Sequence, residues 1–334
     1  MIAIVIVAHN SRDDLFESIS SIIKNDFQNY KIIVVDNAST DGTYDLVKKR
    51  FRKIELIKNK NTGYAGGNNL GIKRAIKLKS DYILVLNPDT ILDKNCLRSL
   101  DESKQEDTII QPLILLDKTR LVNTTGSYLN FLGFSYCNNY KKPANQFHKK
   151  QEIALASGAA SLISVKILKK IGLFDEDFFM YHEDIDLFWR ARANGYKILF
   201  VPEAKVFHKY SFSKNKNKMY LSERNRLVFL YKNFSLKYLI LIFPISVVNE
   251  LLLIIYALLS GWLGQKISSY FAAAKIIKGK KIGKKKNLKK IVSSQGKLKK
   301  FIGSELSFSE VKNPLLVPYN ALLWLYFKLI YLFV

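Results

Sequence analysis

Four short strand-like runs, Ile2–Val7, Ile32–Val35, Ile54–Ile57 and Tyr82–Leu86, alternate with helical stretches along the first part of the chain, and this alternation limits the fold more than any other feature. Strand–helix–strand repeats of this kind require a mostly parallel sheet with helices on both faces, because parallel neighbours need a crossover and each crossover covers a face. Ser11-Arg12-Asp13-Asp14 reads as an N-cap with acids in the first turn of a helix reaching about Lys24. The apolar start lacks a basic flank and a small-residue cleavage site, so Ile2–Val7 reads as a first strand rather than a signal peptide. Ligands of such sheets bind outside the carboxyl ends of the strands. Polar residues collect there: Asn10 after Ala8, Asp36, the stretch from Asn61 to Asn69, and Asn87-Pro88-Asp89.

The segment Asn61-Thr62-Gly63-Tyr64-Ala65-Gly66-Gly67-Asn68-Asn69-Leu70-Gly71 is expected to be a glycine-rich loop. Its backbone would approach a phosphate or nucleoside, with the N–H groups of a following helix free to bind it. It is not the dinucleotide fingerprint, which belongs directly after the first strand, where this chain has Ala8-His9-Asn10-Ser11-Arg12-Asp13. The plainer alternative for these glycines is a tight turn with close helix packing. Asn87-Pro88-Asp89 would serve as a simple turn, but an acid at a strand end facing a diphosphate is also where Mg²⁺ or Mn²⁺ would bridge protein and phosphate oxygens.

A third feature is the acid cluster Asp175-Glu176-Asp177 and Glu183-Asp184-Ile185-Asp186, set among Phe174, Phe178, Phe179, Met180, Tyr181 and Trp189. Carboxylates among aromatic residues suggest a pocket with tuned acids, since desolvating a charge costs several kcal/mol. A structural account also fits, with acids favoured at a helix N-terminus and Asp186 paired to Arg190 at i, i+4.

Taken together, Val34–Gly42, Asn61–Gly71, Leu86–Asp89, Ser157-Gly158-Ala159, Gly172–Phe179 and Glu183–Leu187 with Arg190 resemble, in order, the inverting, metal-dependent family two glycosyltransferases of the GT-A fold. The rhamnosyltransferase-like branch is the closest in pattern. The resemblance covers residues 1–226 and implies an α/β catalytic domain with a Rossmann-like, mostly parallel sheet. It implies a nucleotide-sugar donor, dTDP-L-rhamnose or a UDP-hexose, held by Ala8, Asn10, Asp36, Gly66, Asn68, Asn87 and Asp89. Asp36 would take the base, Asp89 would stand for the last acid of the DxD element, and His208 would complete a Mn²⁺ or Mg²⁺ site. Asn87, neutral at the first DxD position, departs from the family pattern. Asp184 would be the general base beside Glu183, while Ser157, Gly158, Ala159, Asp186 and Arg190 would line the sugar and acceptor pocket. The run Glu223-Arg224-Asn225-Arg226 either offers the diphosphate a cation or is a surface helix.

Residues 227–334 read as a second, membrane-associating region. The net charge of +25 is concentrated there, with no acid between Lys266 and Ser304 and a lysine-rich run from Lys278 to Lys290. That run suits a polyanionic surface, and its apolar flanks, Leu236–Leu263 and Leu315–Val334, favour anionic lipid over nucleic acid. Pro244 and Asn249-Glu250 near the middle of the first tract favour helices lying in the interface over a true span. The same apolar surfaces would also serve a homodimer. Two cysteines, Cys96 and Cys137, without metal spacing or a disulfide framework, suit a reducing compartment. The expectation is therefore a peripheral or monotopic enzyme on the cytoplasmic face of the cell membrane, acting on a lipid-linked or surface glycan precursor of the cell envelope. Rival readings are a nucleotidyltransferase, which needs a basic glycine-rich loop after the first strand, and a non-catalytic protein that binds polyanions or membranes.

Overall fold

In the computed structural model, which describes residues 1–210, 215–279, 298–307 and 316–333, every residue of β1 (Ile2–Ala8) is buried. Only a strand covered on both faces can be apolar throughout. The chain continues through α1 (Arg12–Ile23), β2 (Tyr30–Asn37), α2 (Thr43–Arg50), β3 (Glu55–Asn59), α3 (Gly63–Lys77) and β4 (Tyr82–Leu86). It then forms β5 (Thr90–Leu92), α4 (Cys96–Glu102), β6 (Thr108–Leu116), β7 (Val122–Thr124), β8 (Ser127–Leu129), β9 (Ser135–Cys137) and β10 (Gln151–Glu152). β11 (Ala160–Ser164), α5 (Val165–Ile171), α6 (Glu183–Ala193) and β12 (Lys197–His208) follow. Ser11 stands at the start of α1 as expected, but its side chain makes no cap bond.

The large sheet runs β10-β12-β6-β11-β4-β1-β2-β3, with β5 on β12 and β7 on β6. β1 is parallel to both β2 and β4, β2 to β3, and β6 to β12. β11 runs antiparallel to both of its neighbours, β4 and β6. Its first residues therefore lie at the same edge as the last residues of β4, β1 and β2, and that edge gathers the polar loops. The parallel repeat anticipated from the apolar runs is present, and the reversal at β11 makes the sheet mixed. β12 runs through to His208 past an irregularity between Val201 and Lys205.

Two compact units divide the chain. The first comprises 1–127, 137–191 and 195–211; the second comprises 128–136, 192–194 and 212–334. The second unit contains α7 (Lys216–Asn233), α8 (Leu236–Leu259), α9 (Leu263–Gly279) and α10 (Leu316–Tyr331). α8 buries one stripe, Tyr238, Ile242, Ile245, Asn249 and Ala257. Elsewhere it exposes Leu236, Ile240, Phe243, Leu251 and Leu258, and it is long and apolar enough to cross a membrane. Pro244 lies within α8 without ending it. Glu250, expected to be a costly charge, is paired with Arg226 and with Lys266 at 2.7 Å, while Lys266 also reaches Glu223. Most of the lysine-rich run, residues 280–290, lies outside the described residues.

Candidate active site

The sheet edge is built around the ends of β1 and β2, where Ala8 and Asp36 are register partners. Asp36 is 1% exposed. Its Oδ2 accepts from the Ser39 N–H at 3.3 Å, but Oδ1 is buried and lacks a hydrogen-bond partner among the described residues. A buried acceptor left unsatisfied costs about 1–3 kcal/mol, so this oxygen is suited to receive a ligand N–H. Asn10 has φ 51° and accepts the Thr40 N–H at 2.8 Å, while its own N–H donates to Ser39 Oγ at 3.0 Å. It thus braces the loop that follows Asp36.

The expected glycine-rich phosphate loop is instead the first half of α3. A Cβ on Gly66 would come within 2.6 Å of Thr62, one on Gly67 within 2.6 Å of Val7, and one on Gly71 within 2.4 Å of Val5. Gly67 and Gly71 let the helix lie against β1, while Gly66 makes room for the Thr62 side chain at the helix start. At the start of α3 the Gly63 N–H donates to Asn61 Oδ1 at 3.0 Å and the Ala65 N–H to the Phe179 carbonyl at 3.1 Å, so these two amides are not free. Asn37 pins the turn by donating to the Gly63 carbonyl at 2.9 Å and accepting from Asn59 at 2.9 Å. Asn68 is fully buried and donates to the Tyr64 carbonyl at 2.9 Å, leaving its Oδ1 without a partner among the described residues. Asn69 both donates to the Phe174 carbonyl at 2.9 Å and accepts its N–H at 3.0 Å, tying α3 to the acidic segment.

At the end of β4, Asn87 donates its N–H to the Ala159 carbonyl at 2.9 Å and accepts Thr90 Oγ1 at 2.6 Å. This holds Asn87-Pro88-Asp89 against Ser157-Gly158-Ala159. His208, at the end of β12 and opposite Thr90 in register, brings Nε2 to 3.2 Å from Asp89 Oδ1. Its Nδ1 lies 2.9 Å from Asn123 Oδ1. Burial pushes the Asp89 carboxyl up, but the His208 contact outweighs it and holds the group below the usual carboxylate range. One carboxylate and one imidazole are a donor set that Mn²⁺ accepts and that diphosphate oxygens would complete. No cluster of three metal-ligating side chains occurs among the described residues.

The acids open α6. Phe179, Tyr181 and His182 all have positive φ, at 61°, 69° and 65°, immediately before Glu183. Such conformations cost about 1–3 kcal/mol each and persist where surrounding structure enforces them, often at functional sites. Asp184 Oδ2 accepts the Gly158 N–H at 2.8 Å and Oδ1 the Ile185 N–H at 2.8 Å. Desolvation raises the Asp184 carboxyl above its ordinary range despite these donors. Glu183 is 5% exposed, with Oε2 unpartnered among the described residues. Burial, and then the Asp184 charge, pushes it well above the usual glutamate range. Tyr64 feels the charges of Glu183, Asp184 and Asp89, so one phenol lies near all three acids.

Asp186 and Arg190, expected to line the acceptor pocket, are bound to each other and to backbone carbonyls. Arg190 Nε meets Asp186 Oδ2 at 2.8 Å, and its Nη atoms donate to the carbonyls of Ile171 at 2.7 Å and Leu173 at 2.8 Å. The pair closes the C-terminus of α5, as the i, i+4 spacing alone had allowed. Arg226 is likewise neither a diphosphate ligand nor a surface residue, being buried beside Glu223 at 2.9 Å within the second unit. Sequence reasoning missed Gln111, Asn123 and Tyr64. Gln111 is fully buried on β6 and accepts the Ser157 N–H at 2.6 Å. Isolated polar residues in apolar strands are its only signal.

A family model described as Glycosyl transferase family 2 matches residues 3–172, ending before the acidic helix. The chain is 29% identical over 238 residues to the low-salt glycan biosynthesis hexosyltransferase Agl10 of Haloferax volcanii, covering 68% of this chain and 74% of that protein. It is 25% identical over 210 residues to poly-beta-1,6-N-acetyl-D-glucosamine synthase of Staphylococcus aureus, covering 61% of this chain and 48% of that one. It therefore spans about half the length of that relative. Among solved structures, GalNAc-T7 with UDP, GalNAc and Mn²⁺ shares the fold at TM-score 0.56 and 17% identity, over 70% of this chain and 48% of that one.

Proposed function

Because the chain belongs to glycosyl transferase family 2, we propose that it transfers a sugar, with inversion, from a nucleoside-diphosphate sugar to a hydroxyl of a lipid-linked or surface glycan precursor. The observation that carries this reading is Asp184, a desolvated carboxylate fixed by two backbone N–H groups at the same sheet edge as Asp89 and His208. Inversion needs one displacement and one base. Asp184 takes the acceptor hydroxyl proton as that oxygen attacks the anomeric carbon, and the diphosphate leaves with the bonding electrons. The unpartnered Asp36 oxygen receives the ring N–H of a uracil or thymine. Asp89 and His208 would hold Mn²⁺ or Mg²⁺, which supplies positive charge for the leaving diphosphate.

The donor is a pyrimidine nucleotide sugar, dTDP-L-rhamnose or a UDP-hexose, and likeness to a hexosyltransferase supports a hexose as the sugar. The second unit seats the enzyme at the cytoplasmic face of the membrane, a reading supported by the apolar residues that α8 and α10 expose. Titration calorimetry with UDP, dTDP and GDP, with and without Mn²⁺, tests the assignment together with transfer from the matching labelled donors. Metal-dependent binding of UDP or dTDP with sugar transfer supports it. Preference for GDP, or binding without transfer to any hydroxyl acceptor, overturns it.

A further inference from the structure

Tyr64 Oη donates to the Gly158 carbonyl at 2.6 Å, and the Gly158 N–H donates to Asp184 Oδ2 at 2.8 Å. One glycine is therefore gripped on both sides, by a phenol from α3 and by the carboxylate from α6. There is no slack between them, since a Cβ on Gly158 would lie 3.1 Å from both the Cβ and the Oδ2 of Asp184. The remaining supports are equally specific. The neighbouring Ser157 N–H is held by Gln111 at 2.6 Å, and the Ala159 carbonyl by the Asn87 N–H at 2.9 Å. Tyr64 itself packs edge-on to Phe174, with ring centroids 6.2 Å apart, and Phe174 is fixed through both backbone groups by Asn69.

We propose that Tyr64 is a positioning residue that sets the basicity and direction of Asp184 by clamping the Gly158 backbone. This deepens the reading above and rests on Asp184 being the base. The argument is electrostatic and geometric. Of the two N–H donors on Asp184, the Ile185 amide is its own neighbour in α6, whereas the Gly158 amide comes from a loop whose place depends on Tyr64. A carboxylate that accepts a hydrogen bond is stabilised in its charged form, so loss of the Gly158 donor raises the Asp184 pKa further. The oxygen also loses the contact that aims its free lone pair. Burial first, and then the charges of Glu183, Asp184 and Asp89, push the Tyr64 phenol well above its ordinary range, so it stays a donor.

Tyr64→Phe removes one oxygen and keeps the ring. Its kcat is expected to fall about tenfold, the scale of one hydrogen bond, while the donor KM and the metal-dependent nucleotide affinity stay within twofold. The acidic limb of the pH–kcat profile should move to higher pH by about half a unit to one unit. Gly158→Ala, which pushes on Asp184 directly, should move that limb in the same direction and serves if Tyr64→Phe fails to fold. An unmoved acidic limb in both variants, with Asp184→Asn inactive, overturns the clamp alone. An active Asp184→Asn variant overturns the base assignment and the clamp with it, and a rise in donor KM without a shift in the limb assigns Tyr64 to donor binding instead.

Discussion

His208 turns Nε2 toward Asp89 Oδ1 at 3.2 Å while its other ring nitrogen sits 2.9 Å from Asn123 Oδ1. If Nδ1 carries the proton that Asn123 accepts, a neutral ring offers Asp89 a lone pair rather than a donor. With the proton on Nε2 instead, the ring donates to Asp89 and helps hold its carboxyl down, so the same pair of atoms suits either a proton or a divalent cation between them.

The metal reading follows from that pairing. Asp89→Ala and His208→Ala are each expected to weaken nucleotide diphosphate binding about tenfold or more in Mn²⁺, the usual scale for a lost metal contact, and to leave binding in EDTA unchanged. Calorimetry under both conditions checks this, and equal losses in EDTA would assign the pair to the fold.

Asp184→Asn removes the proton acceptor with almost no change in volume. Transfer should fall at least a hundredfold while nucleotide binding survives. In the wild type the rate should fall as pH drops through an Asp184 pKa that burial has raised, so the acidic limb lies above the ordinary aspartate range. A variant that keeps a tenth of the wild-type rate would sink the assignment.

Glu183 carries a stability cost that can be measured. A carboxyl whose folded pKa is raised above its unfolded value destabilises the fold as pH rises through that window, and the penalty is fully present above the folded pKa. Glu183→Gln should therefore stabilise the protein at pH 8, with the gain vanishing in acid below the unfolded glutamate pKa. Thermal melts at both pH values test this, and activity should suffer even as stability improves.

In the second unit, Glu250 ties α8 to Arg226 of α7 and Lys266 of α9. Glu250→Ala would leave two buried cations facing Glu223 alone, a loss of about 3–5 kcal/mol. The melting temperature in detergent measures it. The intact chain should fractionate with membranes and resist release by high salt, because burial of apolar surface is insensitive to ionic screening. A monodisperse protein soluble without detergent would favour a dimer through the same surfaces.

How far the sequence revealed the molecule depends on whether the deciding contact was local. β4 spans Tyr82–Leu86 as anticipated, and the Asp186–Arg190 pair was legible because i, i+4 spacing is a local rule. α3 was misread because glycine weakens helix propensity, and what holds the helix is distant: Val5, Val7 and the Phe179 carbonyl. Tyr64 stayed hidden for the same reason, since its partner lies ninety-four positions away. The positions of Asp36 and Asp89 at strand ends were legible because the apolar runs before them mark where β2 and β4 stop.

The excursion from Tyr128 to Tyr136 leaves the first unit and returns to it, and its backbone is completed late in the chain. Phe131 donates its N–H to the Gly303 carbonyl at 2.9 Å, its ring meets Phe327 at 5.4 Å, and its carbonyl accepts Tyr238 Oη at 3.0 Å. On a ribosome this hairpin emerges long before any of those partners, so apolar residues such as Phe131 and Leu132 must wait uncovered until the last helix is made. A shortened gene that stops before α8 would make that wait permanent. A soluble catalytic fragment therefore needs the hairpin trimmed or repainted with polar residues as well as the tail removed.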